Sequence, residues 1–381
     1  MTPQVPHAMV TIDLDAIRTN VAALADRAGD AATMAVVKAD AYGHGLVPVA
    51  RAARAGGAQW LGTAVLAEAL ALRQAGDDGP ILAWLAAPGE DWSAALQAHI
   101  DVAAYSADQL AEIAAAARVS GQSARVHLKV DTGLGRGGVM PADWPAVVAQ
   151  ARRLETEGVL RAVGVWTHFA YADAPGHPTI AAQLGVFADA LAQAEAAGLR
   201  PEVRHTANSA ATLTLPGSHY DLVRPGLAVY GLSPVPDVAG PEELGLRPAM
   251  RLEAQVALVK DAPAGHGVSY GHTYTTRVPT RLALVPLGYA DGVPRHASGT
   301  GPIHVGGRTL PVAGRVCMDQ VVLDVGDLAV RAGDAAVLIG DAGRGEPTAQ
   351  DWADAAGTIS YEIVTRVSSR LPRRYLGAGA P

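Results

Sequence analysis

The sequence predicts an α/β protein in two parts, an N-terminal (β/α)8 TIM-type barrel and a C-terminal mainly-β domain. Two observations carry the first part. Short β-type runs alternate with alanine-rich helical stretches through the first two thirds of the 381 residues, and eight such units fill about 220 of them. One observation carries the second: after Pro234 the pattern changes to strand, turn, strand.

The strands of the repeat are expected near residues 33–37, 60–64, 81–85, 102–105, 125–130, 162–167, 203–206 and 222–230. Helices are expected between them, near 45–56, 65–75, 91–98, 107–119, 142–157, 179–197 and 208–214. In the 107–119 stretch, Leu110, Ile113 and Ala114 share one face and Ser106 stands where an N-cap belongs. A doubly wound open sheet is the alternative arrangement of the same units. A run at 9–13 reads as a strand that precedes the repeat and belongs elsewhere. Residues 234–248, rich in Pro, Gly and Glu, read as a linker. Beyond it, strands are expected at 252–259, 281–285, 303–305, 309–312, 321–325 and 336–339, with Gly306-Gly307 as a hairpin turn. The expected domains are therefore 14–238 and 239–381, with residues 1–13 packing on the second.

Composition narrows the function. Apolar residues make up 49% of the chain, enough for large cores, and the net charge is -7. There is no basic run, no aromatic-basic stripe and no zinc-type cysteine spacing, so neither nucleic acid nor a metal is expected. The one cysteine, Cys317, reads as a small buried apolar residue and cannot close an intrachain disulfide. The N-terminal residues show no cationic segment followed by an apolar one, and no apolar run reaches membrane length. A cytoplasmic setting is expected.

The chemistry begins at Val-Val-Lys-Ala-Asp-Ala-Tyr-Gly-His-Gly, residues 36–45. Lys38 is the first charge after an apolar strand. A lysine at a strand mouth, if desolvated, can lose its proton and attack a carbonyl to form a Schiff base. Tyr42, in the loop that follows, can donate to a phosphate. In a barrel the active site sits at the C-terminal ends of the strands, and polar residues gather there. Lys38 follows the first strand of the repeat. Lys129 and Asp131 end the fifth, with Arg136 in the glycine-rich loop beyond; His168 ends the sixth; Asn208 and Ser209 follow the seventh; Arg224 lies in the last. Each has a plainer reading alone: a core histidine, a surface arginine, a helix N-cap at Asn208-Ser209. The same N-cap geometry offers backbone N–H groups to a phosphate, with Gly226 allowing close approach.

At these residues the chain resembles the bacterial alanine racemases. The matching segments are IDLDAIRTN, VVKADAYGHG, KVDTGLGRGG, THFA, HTANSAAT, VRPGLAVYG, GVSYGHTY, LGYADG, GRVCMDQ and TISYEIVTRVSSRLPRRY. The resemblance implies a barrel plus a β domain, pyridoxal 5'-phosphate as cofactor, and interconversion of L-alanine and D-alanine that supplies peptidoglycan synthesis. It implies two bases: Lys38 on the D-face, and Tyr270 from the β domain of a partner subunit on the L-face, in a head-to-tail homodimer with shared active sites. Tyr270 then has to be an acidic phenol, with His168 and Arg224 as the nearby positive charges. Arg224 donates to the pyridine nitrogen. The phosphate falls to Tyr42, Ser209, Tyr361 and the backbone of Gly226 and Leu227, with Asn208 ranked lower. Arg136 and the backbone of the partner's Met318 receive the substrate carboxylate. Lys129 matches a lysine that is carbamylated in many members, and Tyr289 one that narrows the entry. Asp319 reads as a turn former. A decarboxylase of the same barrel type is disfavoured by Arg224, which stands where an acid is expected. A broad-specificity amino-acid racemase fits the same motifs. A noncatalytic carrier of the cofactor does not, because VSYG and CMD are present.

Overall fold

The computed structural model describes residues 7–380; residues 1–6, expected to pack with the β domain, lie outside the described residues. The chain forms two compact units. One comprises residues 16–41 and 46–247; the other comprises the residues up to 15, 42–45 and those from 248 onward.

The element order opens with β1 (Ala8–Asp13), which belongs to the second unit, and α1 (Leu14–Ala28). The barrel follows as β2 (Ala32–Val36), α2 (Leu46–Ala55), β3 (Trp60–Thr63), α3 (Leu66–Gln74), β4 (Ile81–Ala83), α4 (Trp92–Gln97), β5 (Asp101–Ala104) and α5 (Ala107–Ser120). It continues with β6 (Ala124–Lys129), α6 (Trp144–Thr156), β7 (Leu160–Trp166), α7 (Pro178–Ala196), β8 (Val203–His205), α8 (Ser209–Thr214) and β9 (Leu222–Val223). Its eight strands run in the order β8-β7-β6-β5-β4-β3-β2-β9, and every pairing between them is parallel. Asp221 N–H to Arg204 O and Arg224 N–H to Ala207 O bring β9 alongside β8 and close the ring. β3, β4 and β5 are buried at every position, as expected of strands covered on both faces. Met34, Trp60, Leu82 and Leu222 fill the interior from four different strands.

The helix signals act as read. Ser106 accepts from Gln109 N at 3.1 Å and Gly121 ends α5 in the left-handed conformation. The sequence reading did not include α1. It is tied in by Asn20, fully buried, which donates to Val229 O at 3.1 Å and Arg247 O at 2.9 Å and accepts from Arg247 N at 2.8 Å. Each such bond is worth about 1 kcal/mol net, and more is lost if a partner is left unsatisfied in the interior. The expected strand at 222–230 is shorter. It stops at Val223, Pro225 removes a backbone donor, and Leu227–Tyr230 turns into a 3-10 helix.

The second unit has a six-stranded sheet in the order β16-β15-β18-β10-β1-β19. The strands are β10 (Met250–Gln255), β15 (Pro302–Val305), β16 (Arg308–Pro311), β18 (Ala335–Ile339) and β19 (Arg373–Leu376), with β1 between β10 and β19. A three-stranded sheet joins β11 (Leu258–Ala262), β14 (Thr280–Val285) and β17 (Val321–Asp324), and β12 (Gly267–Val268) pairs with β13 (Tyr274–Thr275). The run expected as one strand at 252–259 is two, in different sheets. The unit is mainly β, as expected, with two α-helices among its strands. It contains α9 (Ala349–Ala356), begun by a capping box of Thr348 and Asp351, and α10 (Ser360–Thr365). Trp352 of α9 is buried and donates to Leu338 O at 2.6 Å, fixing that helix on its sheet.

Candidate active site

Lys38 leaves the end of β2 into a helical turn, Lys38–Gly43, where the sequence suggested an open loop. The turn is wound left-handed: Ala39, Asp40, Ala41 and Tyr42 all have φ of 53 to 54°. None is glycine, and the conformation costs about 1–2 kcal/mol per residue. It is held from several sides. Ala39 N–H donates to Glu68 Oε1 at 2.6 Å, Leu46 N–H to Asp40 Oδ1 at 2.7 Å and Ala41 N–H to Val37 O at 2.9 Å. Strain concentrated beside a lysine at a strand mouth makes Lys38 a candidate functional position.

Around Lys38 the barrel unit collects the cations read from the sequence. Lys38 Nζ lies 5.9 Å from the centroid of Trp84. Lys129 Nζ lies 4.7 Å from both Tyr105 and Trp166, and the Arg224 guanidinium 5.0 Å from Trp166. Burial, with the Arg136 charge next, lowers the Lys38 pKa, while Glu68 partly opposes them. Burial, then Arg136 and Arg224, lowers Lys129 to about 8. Burial pulls Arg224 down to about 9, so it stays charged at neutral pH. Arg136 itself is exposed.

His168 is neutral. Burial, reinforced by Arg224, Arg136, Lys129 and Lys38, holds it well below the ordinary histidine range. It does not carry the positive charge expected of it beside Tyr270, whereas Arg224 is charged. Arg224 Nη2 lies 3.4 Å from His168 Nδ1. Gln183, buried on α7, steadies the segment. It donates to His168 O at 3.1 Å and Thr132 Oγ1 at 3.0 Å and accepts from Ala170 N at 2.9 Å. The sequence reading did not single it out; an amide on a helix face that is otherwise apolar was the available signal.

Ser209 opens α8, and its Oγ accepts from Gly226 N at 2.7 Å and Ala228 N at 3.3 Å. Two backbone N–H groups, one either side of Leu227, thus converge with a serine hydroxyl. Both donate to the serine oxygen, which leaves the Ser209 O–H to donate to an anion. The Asn208 side chain caps α8 by accepting from Ala211 N at 3.0 Å.

The remaining predicted residues belong to the second unit. Tyr42 and Tyr361 pair there with ring centroids 6.1 Å apart, and burial raises the Tyr42 phenol far above its usual range. Three other segments of that unit converge. Ser269 Oγ donates to Arg315 O at 2.6 Å and lies 3.3 Å from Cys317 Sγ. Tyr289 N–H donates to Cys317 O at 3.0 Å and Ala290 N–H to Met318 O at 2.9 Å. Gly288 permits this approach, since a Cβ there would lie 2.3 Å from Met318 O. The result displays Tyr270, 69% exposed, with Met318 at 54% and Tyr289 at 38%. Cys317 is only half-buried, not a core residue. Asp319 does more than turn the chain: Arg370 bridges it at 3.0 Å to the buried Asp291 at 3.2 Å.

Among the described residues, no helix is long and apolar enough to cross a membrane, and no cluster of His, Cys, Asp and Glu is arranged to hold a metal ion.

Comparison with known proteins agrees with this construction. The model of the alanine racemase N-terminal domain matches residues 12–234 and that of the C-terminal domain matches 249–375. An alanine racemase of Frankia casuarinae is 62% identical over 97% of this chain and 96% of its own length. One from Streptomyces coelicolor is 59% identical over 97% of this chain and 96% of its own. The crystal structure of alanine racemase from D-cycloserine-producing Streptomyces lavendulae superposes with a TM-score of 0.97 at 58% identity, covering 98% of both chains. Matched in both domains and across nearly its whole length, the chain belongs to the alanine racemase family of isomerases.

Proposed function

We propose that the protein interconverts L-alanine and D-alanine by a two-base mechanism with pyridoxal 5'-phosphate as cofactor, as a head-to-tail homodimer supplying D-alanine for peptidoglycan. The observation that carries this reading is the cation cluster: a lysine of lowered pKa feels Arg136, and Lys38, Lys129, Arg136 and Arg224 all act on His168, with a serine and backbone N–H groups beside α8. Such a set suits a ligand with both a phosphate and a carboxylate, and the lysine suits an aldehyde.

Lys38 would hold the cofactor through Nζ. Ser209, the N–H groups of Gly226 and Leu227, and the Tyr42 and Tyr361 hydroxyls would hold its phosphate. Asn208 contributes by capping the helix beneath. When bound, the cofactor supplies an electron-withdrawing ring that acidifies the substrate Cα–H. Arg224 would donate a hydrogen bond toward the ring nitrogen and keep its own proton, because its pKa of about 9 remains above neutral. Arg136 and the partner's Met318 N–H receive the substrate carboxylate, and Tyr289 restricts the room for a side chain. On one face Lys38 Nζ, freed when the substrate amine displaces it from the cofactor, would take or return the Cα proton; on the other the Tyr270 oxygen of the second subunit would do so. Two bases are needed because substrate and product are mirror images.

A coupled assay with L-alanine and a panel of other L-amino acids, with and without added cofactor, tests this. Cofactor-dependent turnover of L-alanine, falling steeply with side-chain bulk, is expected. Equal rates with bulky substrates would establish the broad-specificity alternative.

Lys129 is proposed to be carbamylated. A pKa of about 8 leaves a usable fraction of neutral amine to attack carbon dioxide. The carbamate is an anion, and it would replace repulsion of Arg136 by attraction. An intact-mass increment of one carbon dioxide, absent in Lys129→Ala, is the expected result. The unmodified lysine has its own signature. Its folded pKa is depressed from 10.5 to about 8, so between these values the unfolded chain holds the proton that the folded chain has lost. Stability therefore rises with pH across that window. In buffer free of carbon dioxide, this rise should be seen in wild type relative to Lys129→Met by urea unfolding. A flat difference would contradict the depressed pKa.

A further inference from the structure

From Arg224 the barrel carries a line of buried polar side chains, His205, His127 and Asp101, that the roles above leave unused. Arg224 Nη1 lies 3.0 Å from His205 Nδ1. His205 Nε2 lies 2.9 Å from His127 Nδ1, and His127 Nε2 lies 3.2 Å from Asp101 Oδ2. Both imidazoles are wholly buried, and Asp101 and Arg224 are each 4% exposed.

The donor directions follow from one end. Arginine can only donate, so His205 Nδ1 accepts and its proton is on Nε2. That N–H donates to His127 Nδ1, which places the His127 proton on Nε2, facing the carboxylate. A second proton on either ring would set two donors against each other. Beyond Asp101 the line reaches the surface. Asp101 Oδ1 accepts from Arg125 Nε at 2.9 Å, Arg125 pairs with Glu202 at 2.8 Å, and Arg161 with Glu202 at 2.6 Å.

The surrounding fold makes room for this line. The pairing of β6 with β7 shifts register between Val126 and His127, setting His127 opposite Gly164. A Cβ on Gly164 would lie 2.1 Å from His127 Nδ1. Trp166 stacks on His205 at 5.5 Å and 10°, and Trp60 meets His127 edge-on at 5.6 Å. Arg224 is completed by the carbonyls of Thr167 at 2.8 Å and Thr206 at 3.1 Å.

We propose that Asp101 and His127 are positioning residues for Arg224, acting through His205. A carboxylate directly against the guanidinium would neutralise it at the site. Two interposed neutral rings keep the counter-charge remote while polarising along the line, so Arg224 keeps one orientation and an undiminished positive face. The proposal rests on the reading that Arg224 faces the reacting ring, and its test separates the two.

Nitrogen-15 NMR of histidine-labelled protein, with and without pyridoxal phosphate, should show both rings neutral with the proton on Nε2. A proton on Nδ1 of either ring, or a doubly protonated ring, overturns the proposal. Asp101→Asn keeps the shape and removes the charge. It should lower kcat per cofactor-loaded site about tenfold, with KM for alanine changed less than about twofold, and shift the absorbance band of the bound cofactor. Gly164→Ala, which displaces His127, should do the same. A merely structural role would reduce the loaded fraction and the melting temperature but leave kcat per loaded site and the absorbance band unmoved, and that result in both variants also overturns the proposal. If Arg224→Lys keeps full kcat, the reading of Arg224 fails, whatever the tautomers.

Discussion

Lys38→Ala is expected to abolish racemisation, with a loss of at least about 10⁴-fold in kcat. Its Nζ has two proposed tasks, holding the cofactor and moving the Cα proton, and alanine can do neither. The physical basis is the combination at this position. Burial and the Arg136 charge lower its proton affinity. The left-handed turn at Ala39–Tyr42 meanwhile fixes where the side chain leaves the strand. After borohydride reduction and denaturation, the wild type should retain cofactor absorbance on the chain and the mutant none. A mutant that keeps both the covalent label and turnover would sink the assignment of Lys38.

Tyr270→Phe is expected to lose about 10²–10⁴-fold in exchange of the Cα proton from L-alanine, while cofactor loading and substrate binding change little. Phenylalanine keeps the ring and removes only the oxygen that can accept a proton. At 69% exposure in its own chain, Tyr270 stands open to water, so the reading requires a second protein surface carrying positive charge over it. Solvent deuterium incorporation from each enantiomer is the measurement. Exchange from D-alanine should suffer less than exchange from L-alanine, because Lys38 is the base proposed for that face. Equal and small losses from both would rule out the two-base scheme.

The barrel was legible because buried parallel strands are continuous apolar runs, and because Ser106 and Asn208 mark helix starts directly. The site was legible where a polar residue interrupts such a run at its C-terminal end, as Lys38, Lys129 and His168 do. The same criterion hid His127 and His205. His127 lies within β6, and His205 ends β8 but falls inside the run expected at 203–206, where a lone histidine reads as packing. His127 sits two residues before Lys129, so strand alternation points both to the same side of the strand, and that was the available signal. In the second unit, α9 and α10 escaped because short helices between strands leave little periodicity to read.

The sequence by itself determined the fold class, the family motifs and the inventory of reactive groups, since strand periodicity, caps and local motifs are properties of neighbouring residues. Only the tertiary structure decided protonation and hand. It made His168 neutral by burying it among cations, lowered Lys129 to about 8, wound Ala39–Tyr42 left-handed and aligned Asp101, His127, His205 and Arg224 into one line. The reason is that desolvation and Coulomb interaction depend on what surrounds a group in space, and those surroundings come from strands far apart in the chain.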